Sequence, residues 1–483
     1  MLISRIWQVI IVSLTAGICA AQVQAPATDD FIRVHSSAIA LEHVIVIDGT
    51  GAPAKTDQTI VISADKIQAI GNAASIEVPS DAQRFDFHGY SALPGLVGMH
   101  DHLFYVTTEV NGNYVAHDMA FSFPRLFLAN GVTTIRTAGS YEPYTDLEIK
   151  RAIDDGKMVG PKINVTGPYL VDARFGQIQI HKLTGPDDAE RTVNYWADEG
   201  ITSFKAYEYI TRAELKAAID AAHKRSLTVA GHLCSIGFRE AADMGIDSLE
   251  HGLFVDTEFD PAKQPDVCPP HDFPAEVKLE VASEEVRRLI AALVEHHVAI
   301  TSTLAIIETS VVSAPQSPES ALDSLDGRTR KRSQEFRLRK SRAAMDDSKR
   351  DEIRNFAEMY RKEMEFEIAF ARAGGLLMAG SDAVFLDVIA GFADQREVEL
   401  LVEAGFTPLE AIKIATLNGA QFLKQSDHIG SLAAGKQADV VLVKGDPSAN
   451  IHDIENIELV FKDGVGYDSK KLIESVKGQV GTR

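Results

Sequence analysis

The segment LPGLVGMHDH, Leu93 to His102, ends an apolar, strand-like run on two histidines two residues apart. In an extended chain residues i and i+2 project from one face, so His100 and His102 can reach one cation while Asp101 points away. Alone the pair says little. Downstream, however, Lys205, His232, His251 and Asp382 each close a short apolar segment of their own, in FKA, VAGH, SLEHG and AGSDA. Six residues able to bind metal therefore stand at equivalent strand ends. A barrel of alternating strands and helices gathers the C-terminal ends of its strands on one face, where side chains remote in sequence meet. Four histidines with a carboxylate suit zinc or a similar borderline cation.

With 483 residues the chain is long enough for such a barrel and a smaller companion domain. Barrel strands are expected at 93–99, 132–136, 162–166, 201–204, 227–231, 247–250, 298–302 and 376–380, separated by helical patterns such as 212–224 and 408–420. Short alternating runs with Gly, Asn and Asp between them mark 39–89 as β-rich. After Asp427 the chain returns to strands at 440–443 and 459–462, which would complete that first β piece. Two insertions interrupt the barrel. One, 254–279, follows the sixth strand and should overhang the catalytic face. The other, 311–351, carries a basic run from Arg328 to Arg342 that reads either as a solvated helix or as an attractor of an anionic substrate. Beyond it Ile353, Phe356, Tyr360, Met364 and Ile368 recur at helical spacing, a packing seam.

The order His-x-His, Lys, His, His, Asp resembles the amidohydrolase superfamily in its two-metal branch. Within it the chain is most similar to the imidazolonepropionase-like group that includes metal-dependent Xaa-Pro dipeptidases. The resemblance runs from Val44 to Gly464. It includes GVTTIR (131–136) as the second barrel strand, DSLEHG (247–252) as the sixth, ATLNGA (415–420) as the helix after the eighth, and GSLAAGKQADVVLV (430–443) as the return into the small domain. Thr137 departs from it, since relatives commonly carry Asp there. The resemblance implies an α/β fold: a (β/α)8 TIM barrel at 91–427 with a small β-sandwich domain formed by N- and C-terminal segments, 36–90 and 428–470.

It also implies a site. Two divalent metal ions, zinc expected, would be held by His100, His102 and Asp382 and by His232 and His251, with Lys205 N-carboxylated between them and a hydroxide completing the bridge. Asp382 would act as general acid and base. Tyr207, just past Lys205, would polarise the substrate carbonyl, and Arg212 on the same loop would bind a terminal carboxylate. His181, after the third strand, is a further candidate oxyanion donor. The residues bear on two of these roles by themselves. A protonated ammonium beside two dications is strongly unfavourable, so Lys205 must be neutral or chemically changed, and Ile201, Phe204 and Ala206 around it point to a buried strand end. Arg212 could equally be a helix-start residue facing water.

The expected function is an exported two-metal amidohydrolase acting on a dipeptide or N-acyl amino acid. An ester, lactone or phosphotriester would yield to the same nucleophile, and an inactive binding protein is the remaining alternative. A one-metal deaminase fits less well, because Ser235 stands where those members carry Glu, three residues after the fifth-strand histidine. Arg5, the apolar stretch 6–18 and the small residues after Cys19 read as a signal peptide over 1–21. The stretch is short for a membrane span and no second one follows, which predicts an exported protein, periplasmic or secreted. Removing it leaves Cys234 and Cys268, for which a disulfide and two unpaired thiols both fit the sequence. A net charge of −21 disfavours a nucleic-acid partner, leaving a small-molecule or dipeptide substrate, with a homo-oligomer open.

Overall fold

The computed structural model describes residues 27–108, 114–269, 276–312 and 314–481. The proposed signal segment lies outside them. Eight parallel strand positions form the barrel: β1 (Leu96–Asp101), β2 (Val132–Thr137), β3 (Lys162–Asn164 continuing into Thr166–Asp172), β4 (Ser203–Glu208), β5 (Thr228–Leu233), β6 (Ser248–Glu250), β7 (Ala299–Ser302) and β8 (Leu377–Ala379). Each neighbouring pair from β1 to β8 runs parallel. The ring closes between β8 and β1, where the Asp382 amide donates to the His100 carbonyl (2.8 Å). Gly380 makes that approach feasible, since a Cβ there would lie 2.3 Å from the His100 nitrogen.

Helices return the chain between strands as parallel pairing requires. Arg212–Lys224 shows how the sequence sets such an element. Thr211 accepts from the Glu214 amide while Glu214 accepts from the Thr211 amide, a reciprocal cap, and Leu215, Ala218, Ile219 and Ala222 face the barrel. Arg350–Arg372 is oriented differently from its sequence pattern. The seam of Phe356, Tyr360, Met364 and Ile368 packs only at the margin of the core, and the fully buried face carries Met359, Glu363, Phe366, Glu367 and Phe370. Periodicity follows apolar residues, and here two carboxylates lie on the buried face.

The run that reads as one strand from Leu93 is two. Tyr90–Pro94 pairs antiparallel with Val440–Lys444 in the small domain, and only from Leu96 does the chain enter the barrel. Among the described residues the N- and C-terminal segments share a nine-stranded sheet with its own core of Val34, Ile39, Leu41, Ile60, Leu442 and Phe461. No helix among the described residues is long and apolar enough to cross a membrane.

Candidate metal centre

β1 ends on His100 and Asp101, and alternation sends the two away from each other. His100 and His102 point into the barrel mouth, while Asp101 turns outward and accepts from the Ser381 amide and hydroxyl (3.3 and 2.8 Å). That grip ties the first strand to the turn carrying Asp382. Asp382 itself has φ 48°, a left-handed conformation that sets its carboxylate over the barrel axis. Its Oδ1 lies 3.1 Å from His102 Nε2 and 3.6 Å from His100 Nε2, and its Oδ2 lies 4.0 Å from His251 Nε2. The ligand atoms of His100, His102 and Asp382 fall within 4.8 Å of one another, a grouping that could hold a metal ion. The rings of His100 and His251, and of His251 and His232, are 4.6 Å apart, so the imidazoles form a continuous arc.

Three of the rings have their other nitrogen already engaged. His100 Nδ1 bonds Glu250 (2.6 Å), His251 Nδ1 bonds the Thr303 hydroxyl (2.6 Å), and His102 Nδ1 reaches the Gly139 carbonyl (3.3 Å). A carbonyl only accepts, so His102 Nδ1 is the donor of that pair, which leaves Nε2 as the nitrogen facing the site. Burial, with Lys205 nearby, holds His100 well below the ordinary imidazole range, and burial with His100 does the same to His251. Neutral imidazole is the metal-binding form. Burial opposes ionisation of Asp382, but His100, His102 and Lys205 together hold its carboxyl below the usual range.

Lys205, on β4, is the group that fits least without a further partner. It is 1% exposed, and its Nζ has no hydrogen-bond partner. Burial pushes its amine down to about 8, with the Arg136 guanidinium acting in the same direction. That lowering makes the free-amine form of Lys205 accessible near neutral pH, the form that can be carboxylated, and a carbamate there would give the orphaned atom a function and supply an anionic bridge. The donor set thus fits a two-ion centre.

Two residues beneath this floor escaped the sequence reading. Glu250 is wholly buried between His100 and Arg136, whose Nη2 donates to Glu250 Oε1 (2.8 Å) and whose Nε donates to the Met99 carbonyl (2.8 Å). Burial opposes its ionisation, yet Lys205 and Arg136 prevail and hold Glu250 below the ordinary range. A partial signal was visible: Glu250 and Arg136 are the one charged residue each of β6 and β2. Behind His251, Glu363 Oε2 accepts the Phe254 amide (2.7 Å). Gly252, at φ 55°, is required above it, because a Cβ would meet the Glu363 carboxylate.

Above the floor opens a cavity of about 590 Å³ lined by His100, His102, Lys205, His232, His251 and Asp382 and by aromatic rings, among them Tyr169, Phe175 and Tyr207. Tyr207 faces His232 at 4.8 Å between ring centres, and burial with the Glu208 charge keeps its hydroxyl protonated, a donor. Glu208 also lines the cavity, and burial raises its carboxyl to about 7. His181 and Arg212 are not among the lining residues. His181 bonds Asp188 (3.0 Å) in a neighbouring hollow, and Arg212 pairs with Glu240 and Asp266 at the start of its helix. The guanidinium that does line the cavity is Arg174, fixed by Asp172 (2.6 Å) and by the carbonyls of Asp266 and Tyr209. Cys234 and Cys268 form a disulfide, Cα–Cα 4.9 Å, that pins the insertion after β6 to the end of β5. Helix Gly327–Ala343 carries the basic run, but Arg330 pairs with Glu319 and Asp323, Arg337 with Asp387, and Lys340 with the carbonyls of Thr309 and Val311. None of these lines the cavity.

The amidohydrolase family model matches residues 91–466. The first of the curated relatives is an adenine deaminase 2 of Jannaschia sp. (strain CCS1), 34% identical over 92 residues, which is 19% of this chain and 15% of that protein. The match therefore spans well under a fifth of the relative's length. A solved Xaa-Pro dipeptidase with methionine bound in its active site superposes with a TM-score of 0.67 at 20% identity, covering 89% of this chain and all of that one. A putative prolidase from Bifidobacterium longum gives 0.66 at 22% identity over 91% of this chain and 99% of its own. Likeness at these identities is likeness of fold.

Proposed function

The chain belongs to the amidohydrolase family, and from that premise we propose that it is an exported two-metal hydrolase cleaving the amide bond of a dipeptide or an N-acyl amino acid. The observation that carries this reading is Lys205: a buried amine without a partner, set among neutral imidazoles and Asp382. His100, His102 and Asp382 would hold one ion, His232 and His251 the other, and N-carboxylated Lys205 both, with zinc suited to this donor set. Bound ions would supply a water nucleophile near neutral pH and polarise the scissile carbonyl. Asp382, held ionised, takes the proton from the attacking water and delivers it to the leaving amine. Tyr207, kept protonated, donates to the substrate oxygen as charge develops on it. Ser235 gives its hydroxyl to the Ile210 carbonyl (2.5 Å), which offers no carboxylate shuttle of the deaminase kind. The disulfide fits an oxidising compartment, in line with export.

A second reading, in which the same centre hydrolyses an ester, lactone or phosphotriester, is favoured by one observation. Arg212 lies outside the cavity and Arg174 is tied to Asp172, so a clamp for a terminal carboxylate is weakly provided. Zinc-loaded protein assayed on matched panels of dipeptides, N-acyl amino acids, esters, lactones and phosphotriesters separates the two. Turnover of amides at rates equal to or above those of their ester counterparts supports the first reading. Turnover confined to the oxygen esters establishes the second.

A further inference from the structure

Charge in the cavity is distributed unevenly. Among the described lining residues two carboxylates face it, Asp382 on the floor and Glu208 at the end of β4. Glu208 Oε1 stands 3.9 Å from His232 Nε2, and its side chain keeps 27% of its surface open, towards the cavity it lines. No arginine or lysine ion pair is formed by Glu208 among the described residues, whereas Arg174 has Asp172. Around it the wall is aromatic: Tyr207 meets Tyr169 at 5.0 Å and Phe175 at 5.2 Å, and Tyr209 follows Glu208 in the chain. Phe175 already carries one cation, the Lys182 ammonium 4.8 Å from its ring centre.

We propose that Glu208 binds the protonated α-amino group of the substrate, so that the enzyme acts on dipeptides with a free N-terminus in preference to N-acyl amino acids. The proposal rests on the two-metal amidase reading and narrows it. Two bonds separate an α-ammonium from its scissile carbonyl carbon, so an ammonium held by a carboxylate beside His232 brings that carbonyl to the floor. A carboxylate–ammonium hydrogen bond is charge-assisted and so stronger than a neutral one. An N-acyl group cannot make that bond and leaves Glu208 partly buried against a neutral amide.

The test uses the full chain loaded with zinc, the best dipeptide from a library, and its N-acetyl derivative. Wild-type kcat/KM should favour the free dipeptide by about 50- to 100-fold. In Glu208→Gln that ratio should fall to within a few-fold of one, through a higher KM for the free dipeptide, with metal content at the wild-type level. A wild-type preference for the N-acetyl substrate overturns the proposal without any variant. So does an unchanged ratio in Glu208→Gln, or a loss of zinc showing that Glu208 serves an ion instead. Failure to hydrolyse either substrate would defeat the amidase reading separately. Glu208 is then judged by calorimetry with alaninamide, a cation at neutral pH, and N-acetylalaninamide: tighter binding of the cation in wild type and not in Glu208→Gln supports the assignment, and equal binding overturns it.

Discussion

His100, His102, His251 and Asp382 stand at strand ends, with the second nitrogen of each of those three rings already bonded, whereas Arg174 and Phe175 stand on a segment between strands held by a few side-chain bonds. The floor of the cavity is fixed by the hydrogen-bonded ladder of the barrel and by a buried Arg136–Glu250 pair beneath it. The wall is fixed by rings packed edge to face and by a disulfide reaching across from the insertion after β6. Chemistry that tolerates little displacement belongs on the first kind of support, and recognition that varies with substrate belongs on the second. Substitutions in the floor should therefore alter metal content and kcat, and substitutions in the wall should alter KM.

The largest effect is expected at Lys205. Lys205→Ala should lose most of the metal and lower activity by about 10³-fold or more, with partial rescue by a short carboxylate in solution. Metal analysis and activity recorded together check this, and full metal content in the variant would break the division at its strongest point. Next comes Asp382→Asn, which removes the proposed proton carrier and should cut kcat by roughly 10²-fold or more while much of the metal stays. Near-normal turnover would place proton transfer elsewhere.

Beneath the ligands, Glu250→Gln should weaken zinc affinity by about 10- to 100-fold, because His100 loses the carboxylate that orients it. Chelator competition reads that affinity, and an unchanged value would show that strand packing alone aims the ring. For the wall, Cys268→Ser should raise KM several-fold with metal content and kcat close to wild type, since it frees the segment whose Asp266 carbonyl holds Arg174. A fall in metal content instead would mean that the tie to β5 positions His232 and belongs to the floor. Smallest is Arg212→Ala, which should change KM by less than about 3-fold for any substrate, against a much larger rise for Arg174→Ala. The reverse order would return Arg212 to the substrate.

How much of this could be read in the sequence follows the same line. The six residues were visible because each closes a short apolar run and a parallel barrel gathers such positions on one face, although β4 continues three residues past Lys205, to Glu208. Glu250 and Arg136 lay within quoted segments, but their pairing depends on three-dimensional proximity across the barrel. Thr137, where the family resemblance leads to an acid being expected, takes a structural part, its hydroxyl accepting the Thr166 amide (2.8 Å) to bind β2 to β3. Arg174 could not be told from Arg212, and His181 could not be placed, because 172–183 has no period to fix its direction. The division of 93–99 between two sheets was equally hidden, since an apolar run gives no sign of which sheet each residue joins.

The proposed two-ion floor bridged by carboxylated Lys205 can be checked by elemental analysis of protein saturated with zinc in bicarbonate buffer, with activity measured on the same samples. Two equivalents of zinc per chain at full activity are expected. Full activity at one equivalent, with no further zinc bound at saturation, would contradict it.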